Sequence, residues 1–335
     1  MSRTTRRRVL RVSLRDGADG TADSPGDGAA AGAAAGMTAA GMSPAGTSTA
    51  GMTSAGTSTA GMSAAAAAGP DMLAVEEPLE IRVGGEPLTV TMRTPGDDID
   101  LAAGFLFCEG IIAGAGDLAS IRICGSGPAA GADGQLAPVD ANVADVRLDA
   151  SAADAQEAAG RLRRSFLTTS ACGICGKESI DSVRTRAAYD VSADEVTVDP
   201  AALLRMPGRL REAQRVFART GGLHAAGLFT ATGDLIVLRE DVGRHNAVDK
   251  VVGWALRSGR VPLHGCVLLV SGRASFELVQ KALMAGIAVL AAVSAPSSLA
   301  AELADDAGMT LAGFVRGTSM NIYAGAHRIR SLAPA

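Results

Sequence analysis

The chain has 335 residues, enough for one or two domains, and its 31 Lys and Arg against 35 Asp and Glu leave a net charge of −4. Dispersed basic residues and a 3% aromatic content exclude the basic groove and the stacking platforms of nucleic-acid binders. No apolar run is long enough to span a bilayer, and five cysteines, an odd number, fit a reducing, cytoplasmic setting better than a disulfide framework.

In chain order, residues 1–15 carry Arg3, Arg6, Arg7, Arg8, Arg11 and Arg15 with no acid among them. The apolar stretch of a secretory signal does not follow, so a solvated basic tail is expected; an organellar transit peptide is the rival reading of that composition. From Gly17 to Gly69 the residues are mostly Ala, Gly, Ser, Thr and Met, with a short repeat visible in Ala50-Gly51-Met52 and Ala60-Gly61-Met62. Side chains this small bury too little apolar surface to offset the entropy of ordering them. Residues 1–72 are therefore expected to be a disordered, low-complexity tail.

Order is expected from Leu73. Leu79 to Val83 and Leu88 to Met92 alternate on either side of Gly84-Gly85, which predicts a hairpin. Asp97 and Asp98 offer N-caps for a helix through Leu101, Phe105 and Leu106 toward Gly110. Ile121 to Cys124 and Val143 to Leu148 read as strands. Between them, Gly125 to Gly131 imitates a dinucleotide fingerprint, but the glycine spacing is wrong and Pro128 intrudes, so a loop is expected. Ala155 to Phe166 reads as a helix.

The stretch Thr168 to Lys177 holds Cys172-Gly173-Ile174-Cys175-Gly176-Lys177. Glycines let such a segment bend close to another molecule, and a neighbouring cation favours the nucleophilic thiolate. A structural zinc site would need four ligands where this pair supplies two. A thioredoxin-like pair would follow a strand and open a helix, whereas a helix is expected before this one. The other cysteines, Cys108, Cys124 and Cys266, are single, lie in apolar runs and read as small core residues. A reactive thiol on a mobile loop is the reading these residues favour.

Glu178 to Ala188 and Ala201 to Ala218 are helical in pattern, the second expected to kink at Pro207-Gly208. Two glycines precede His224 at a strand entrance, where a histidine is either structural or faces a ligand that approaches closely. A turn at Thr232-Gly233-Asp234 leads to a strand, and Arg239 to Lys250 then crowds charged and polar groups at a strand-to-helix junction. Arg244, His245, Asn246, Asp249 and Lys250 become candidate ligand contacts, since strand-end loops carry function in α/β proteins; a surface salt-bridge network is the alternative. Cys266 to Val270 is a buried strand running into Ser271-Gly272-Arg273-Ala274-Ser275 and the helix Phe276 to Leu283. Small residues before a helix N-terminus, with a forked arginine donor, suit an anion, so Ser271, Gly272, Arg273 and Ser275 are candidates too. A plain helix cap would not require the arginine. Further strands are expected at Ile287 to Val293 and Leu311 to Val315, with a helix from Leu299 to Asp306 between them.

Taken together these motifs resemble the formate dehydrogenase accessory sulfurtransferase family (FdhD), roughly from Glu77 to Ile329. Thr-Ser-Ala-Cys-Gly-Ile-Cys-Gly-Lys, Thr220 to Ala226, Arg239 to Lys250, Ser-Gly-Arg-Ala-Ser-Phe-Glu, Ser294 to Ala300 and Gly313 to Gly317 carry the likeness. The resemblance implies a cytidine-deaminase-like layered α/β domain preceded by a smaller β-rich α+β region, in a homodimer. Residues 73–330 would form that unit: 73–165 the α+β part, 166–180 the C-x-x-C loop and 181–330 the α/β part. It implies a sulfurtransferase that takes persulfide sulfur from a cysteine desulfurase on Cys172, with Cys175 auxiliary. The acceptor would be the molybdenum cofactor, bis-molybdopterin guanine dinucleotide, bound before it enters formate dehydrogenase, and no metal would be held permanently. The family's cofactor-binding stretch falls on Phe314, Val315, Arg316, Gly317, Thr318 and Ser319. A cofactor-holding chaperone without sulfur chemistry, and a thiol redox protein, are the alternatives. A zinc deaminase would need His-x-Glu, which the sequence lacks.

Overall fold

The computed structural model describes residues 2–16, 62–125, 142–168 and 188–330. The chain divides into two units, residues 8–70 and a larger one formed by residues 1–7 with 71–335. The structure differs from the expected tail at its two ends, where β1 (Thr4–Asp16) and β2 (Met62–Ala74) pair as a two-stranded sheet. Backbone pairing does not depend on side-chain size, which is what the compositional argument weighed. Residues 17–61 lie outside the described residues.

In the larger unit, the expected hairpin forms from β3 (Glu77–Val83) and β4 (Glu86–Arg93). Gly84 and Gly85 take φ of 61° and 82°, the left-handed geometry a two-residue hairpin loop requires. β3 also pairs in parallel with β6 (Val143–Leu148), and β6 pairs antiparallel with β5 (Leu118–Cys124), giving the order β4-β3-β6-β5. Alternation along β3 buries Leu79, Ile81 and Val83. Helix α1 (Asp98–Cys108) follows the hairpin, and α2 (Ala153–Thr168) follows β6. Asp97 stands at the cap position of α1, but its side chain makes no cap; its carboxylate meets Arg3 at 2.6 Å and Arg239 at 3.6 Å.

The second half builds a six-stranded sheet in the order β12-β11-β10-β9-β7-β8. Its strands are β7 (His224–Thr230), β8 (Leu235–Asp241), β9 (Cys266–Val270), β10 (Val289–Ala292), β11 (Thr310–Arg316) and β12 (Ser319–Ala324). The parallel core of β9, β10 and β11 is a set of nearly unbroken apolar runs, as expected of strands covered on both faces. Its helices are α3 (Pro200–Ala213), α4 (Arg215–Thr220), α5 (Arg244–Arg257), α6 (Phe276–Met284) and α7 (Ser298–Asp306).

The break expected at Pro207-Gly208 falls instead at Gln214, and α3 runs through Pro207. The reason lies elsewhere in the chain. The Glu240 carboxylate of β8 accepts the backbone N–H groups of Val216 at 3.0 Å and Phe217 at 2.7 Å, supplying the cap that lets α4 start afresh.

Helices α1 and α5 join the two sheets of this unit, crossing at glycines. A Cβ on Gly104 would run into the carbonyl oxygen of Asp249, and one on Gly253 into that of Asp100. Only hydrogen at both positions allows the backbones to come this close.

Candidate functional site at the carboxyl edge of the larger sheet

Because β9, β10 and β11 are parallel while β7 runs against β9 and β8 against β7, one edge gathers several loops. The carboxyl ends of β8, β9, β10 and β11 lie there, beside the start of β7. Crevices outside the carboxyl ends of strands are where open α/β sheets bind ligands. The loops are stitched together: Ser294 N–H donates to the Gly272 carbonyl (3.3 Å), Ala274 to Ala295 (3.2 Å), Ser297 to Ala274 (3.0 Å) and Phe314 to Ser294 (3.1 Å).

Beneath the edge is a buried polar layer. Asp241 accepts the Thr94 N–H at 3.1 Å, the Gly243 N–H at 2.8 Å and the Asn246 amide at 3.1 Å, and pairs with Lys250 at 2.6 Å. Lys250 also donates to the Thr94 carbonyl, and Asn246 to that of Met92, both at 2.8 Å. One turn on, Asp249 takes Lys281 at 2.8 Å, with Glu109 at 3.4 Å from the same ammonium. Burial opposes the Lys281 charge, but Asp249 outweighs it and raises that pKa. Burial, with Asp249 alongside, pushes the Cys108 thiol well up and makes it a poor nucleophile. Asn246, Asp249 and Lys250, read from the sequence as candidate contacts, thus have their polar ends engaged inside the protein.

Facing outward is a different set. His224 begins β7, and its Nδ1 would lie 3.2 Å from a Cβ at Gly272, so glycine there leaves room for the ring. Ser271 is tied to β7, its hydroxyl accepting the Ala225 N–H at 2.9 Å. His245 Nε2 lies 3.2 Å from the Ser275 hydroxyl and 3.7 Å from Glu277. Arg244 has its Nε buried without a hydrogen-bond partner among the described residues. Partial burial and the Arg244 charge lower the His224 pKa; the same causes, helped by Lys281 and opposed by Glu277, take His245 down to about 4. Partial burial works against the Glu277 charge, yet the Ser275 hydroxyl, its own N–H, His245 and Arg244 bring its pKa below the usual range. Sequence reasoning missed Glu277, although it stands two residues after Ser275 in the same motif. It also missed Asp241, whose partners come from distant segments.

Arg273 is exposed. Phe314 adopts φ of 52°, a left-handed conformation rare for a bulky residue and worth notice where it occurs. The Arg316 guanidinium lies 5.4 Å from the centre of the Phe314 ring, and Val315 is buried between them. Gly317 (φ 56°), Thr318 and Ser319 form the exposed turn into β12. The edge therefore brings His224, Arg244, His245, Ser271 to Ser275 and Phe314 to Ser319 onto one side of one sheet. Cys172 and Cys175 lie outside the described residues. Cys108 is buried as expected of a core residue, whereas Cys124 and Cys266 are only partly so.

A mixed α/β protein with an arginine- and histidine-bearing carboxyl edge is the class that fold and edge define. The chain matches the FdhD/NarQ family over residues 74–330, and it belongs to that family. It is 57% identical over 263 residues to the sulfur carrier protein FdhD of Nocardia farcinica, covering 78% of this chain and 90% of that one. With the Streptomyces avermitilis protein of the same name it shares 57% over 267 residues, covering 79% and 92%. A crystal structure of a Desulfotalea psychrophila protein described as a formate dehydrogenase accessory protein aligns with a TM-score of 0.59. That alignment has 24% identity and covers 81% of this chain and 94% of that one, a likeness of fold. Among the described residues no helix is long and apolar enough to cross a membrane.

Proposed function

We propose that this chain is a cytoplasmic sulfur carrier serving formate dehydrogenase. It would accept persulfide sulfur on Cys172 from a cysteine desulfurase and pass it to the molybdenum cofactor, bis-molybdopterin guanine dinucleotide. The observation that carries the reading is family membership across residues 74–330 combined with the Cys172-Gly-Ile-Cys175-Gly-Lys177 stretch. In loading, the Cys172 thiolate attacks the outer sulfur of the desulfurase persulfide; that S–S bond breaks, the desulfurase thiolate leaves, and oxidation state is conserved overall. In delivery, the Cys175 thiolate attacks the inner sulfur of the Cys172 persulfide. A Cys172–Cys175 disulfide forms, the outer sulfur departs as sulfide with the bonding pair, and a cellular dithiol reopens the disulfide.

The cofactor is a substrate here, taken by its anionic and aromatic parts. Phe314 to Ser319 would receive it, with Arg273, Arg244 and the imidazoles contributing charge and hydrogen bonds along the same edge. The cytidine-deaminase-like layering and the homodimer belong to this reading as well. Cys172→Ala should leave cofactor binding intact and abolish sulfur loading of the cofactor. Retained loading would remove Cys172 from the mechanism, and cofactor binding by a wild-type chain that never carries sulfur on Cys172 would instead make the protein a cofactor holder.

A further inference from the structure

We infer that the carboxyl edge takes its anionic ligand together with a proton: His224 and His245 accept it from solvent as a phosphate-type dianion settles beside Arg244. This rests on the edge being the ligand site, as proposed above, and adds how that site is charged.

Three nitrogen-bearing side chains, Arg244, His224 and His245, lie close enough to act on one another electrostatically. Arg244 is permanently cationic, and its Nε is buried with no hydrogen-bond partner among the described residues. His224 lies against Gly272, and His245 stands at 3.2 Å from Ser275, so β7, the loop after β9 and the start of α5 converge here. Among the described residues, a small set of charged groups acts on the two rings. His224 meets Arg244 and Asp241, but the Asp241 charge is already answered by Lys250 at 2.6 Å. His245 meets Arg244, Lys281, His224 and Glu277, of which only the last is negative, at 3.7 Å. Lys281 is itself answered by Asp249 at 2.8 Å and Glu109 at 3.4 Å, so partial burial first, and the Arg244 charge next, disfavour the protonated rings in the free chain.

A bound dianion inverts that balance. Its charge favours the imidazolium forms, and each protonated ring gains a second N–H to donate. By linkage, affinity then rises about tenfold for each pH unit of acidification per proton taken up, between the free and bound pKa values of the rings. The sign is fixed: binding tightens as pH falls.

The chain has four histidines, which makes the test clean. Ring resonances of His224, His245, His264 and His327 in the full chain are titrated by NMR with and without inorganic sulfate, which keeps its two charges throughout. His264→Asn and His327→Asn serve to assign the signals. The expected result is an upward move of about one pH unit or more in His224, His245 or both, with His264 and His327 unmoved. Sulfate affinity should climb as pH falls through the interval between the bound and free midpoints of whichever ring moves. If sulfate perturbs the amides of Arg244 and Gly272 while both ring midpoints stay put, the proton linkage is wrong and the anion site survives. If no resonance along the edge responds to sulfate, the linkage and the edge's role as an anion site fall together.

Discussion

The first turns of α5 present two faces of opposite character, three residues turned inward and two outward. Asn246, Asp249 and Lys250 repeat at three- and four-residue spacing and point into the body, where Asp241, Lys281 and the Thr94 carbonyl meet them. Arg244 and His245 point to the sheet edge, where Ser275 and Glu277 leave them only partly answered. One short run of sequence therefore supplies both the anchor and the working surface. The lesson is that polar density in a motif does not by itself mark ligand contacts. Helical phase decides which groups serve the scaffold.

Removing a member of the inner layer should have the largest effect. Lys250→Ala leaves the fully buried Asp241 carboxylate without its counter-charge, a loss on the order of 3–5 kcal/mol that urea unfolding would register. Gly253→Ala should come next, at about 1–3 kcal/mol or more, because the added methyl has only the Asp100 backbone to push against. Alanine's better helix propensity, worth up to about 1 kcal/mol, would not compensate. An unfolding midpoint equal to wild type would show that the α1–α5 crossing can relax.

The outer face should behave in the opposite way. Arg316→Ala and Arg273→Ala remove exposed side chains, so stability should stay within about 0.5 kcal/mol of wild type. Cofactor affinity should nevertheless fall by about tenfold, the worth of one charge-assisted hydrogen bond. A variant that unfolds the protein without touching affinity would invert the assignment of the two faces.

The smallest effect concerns acid. His245 has a pKa of about 4 in the folded chain, below its unfolded value, so unfolding takes up a proton between the two. Its contribution to stability is complete above the ordinary histidine pKa and declines as pH falls toward about 4. His245→Asn should flatten that part of the stability–pH curve, and an unchanged slope would show that the ring is not held neutral.

Much of the architecture was legible in the sequence where local signals sufficed. The Gly84-Gly85 hairpin, the strand from Cys266 and the helix from Phe276 all follow from alternation, turn glycines and apolar runs. The misplaced helix break shows the limit. Pro207 is visible to any local rule, whereas the Glu240 carboxylate that caps α4 comes from β8, beyond the whole of β7 and the turn after it. Gly104 and Gly253 are equally silent until α1 and α5 are brought together. Among candidate site residues, the motif boundaries drew Arg244 and Lys250 as one stretch, yet the split between them depended on partners such as Thr94 and Asp241. Cys172 was singled out by chemistry and by family resemblance, not by packing.

Mass spectrometry of Cys172 after incubation with a cysteine desulfurase and cysteine tests the central claim most directly. The account predicts a peptide one sulfur atom heavier, with the adduct on Cys172, retained in Cys175→Ala and discharged by a thiol reductant. An unmodified Cys172 beside a competent desulfurase, in protein that still binds the cofactor, would contradict it.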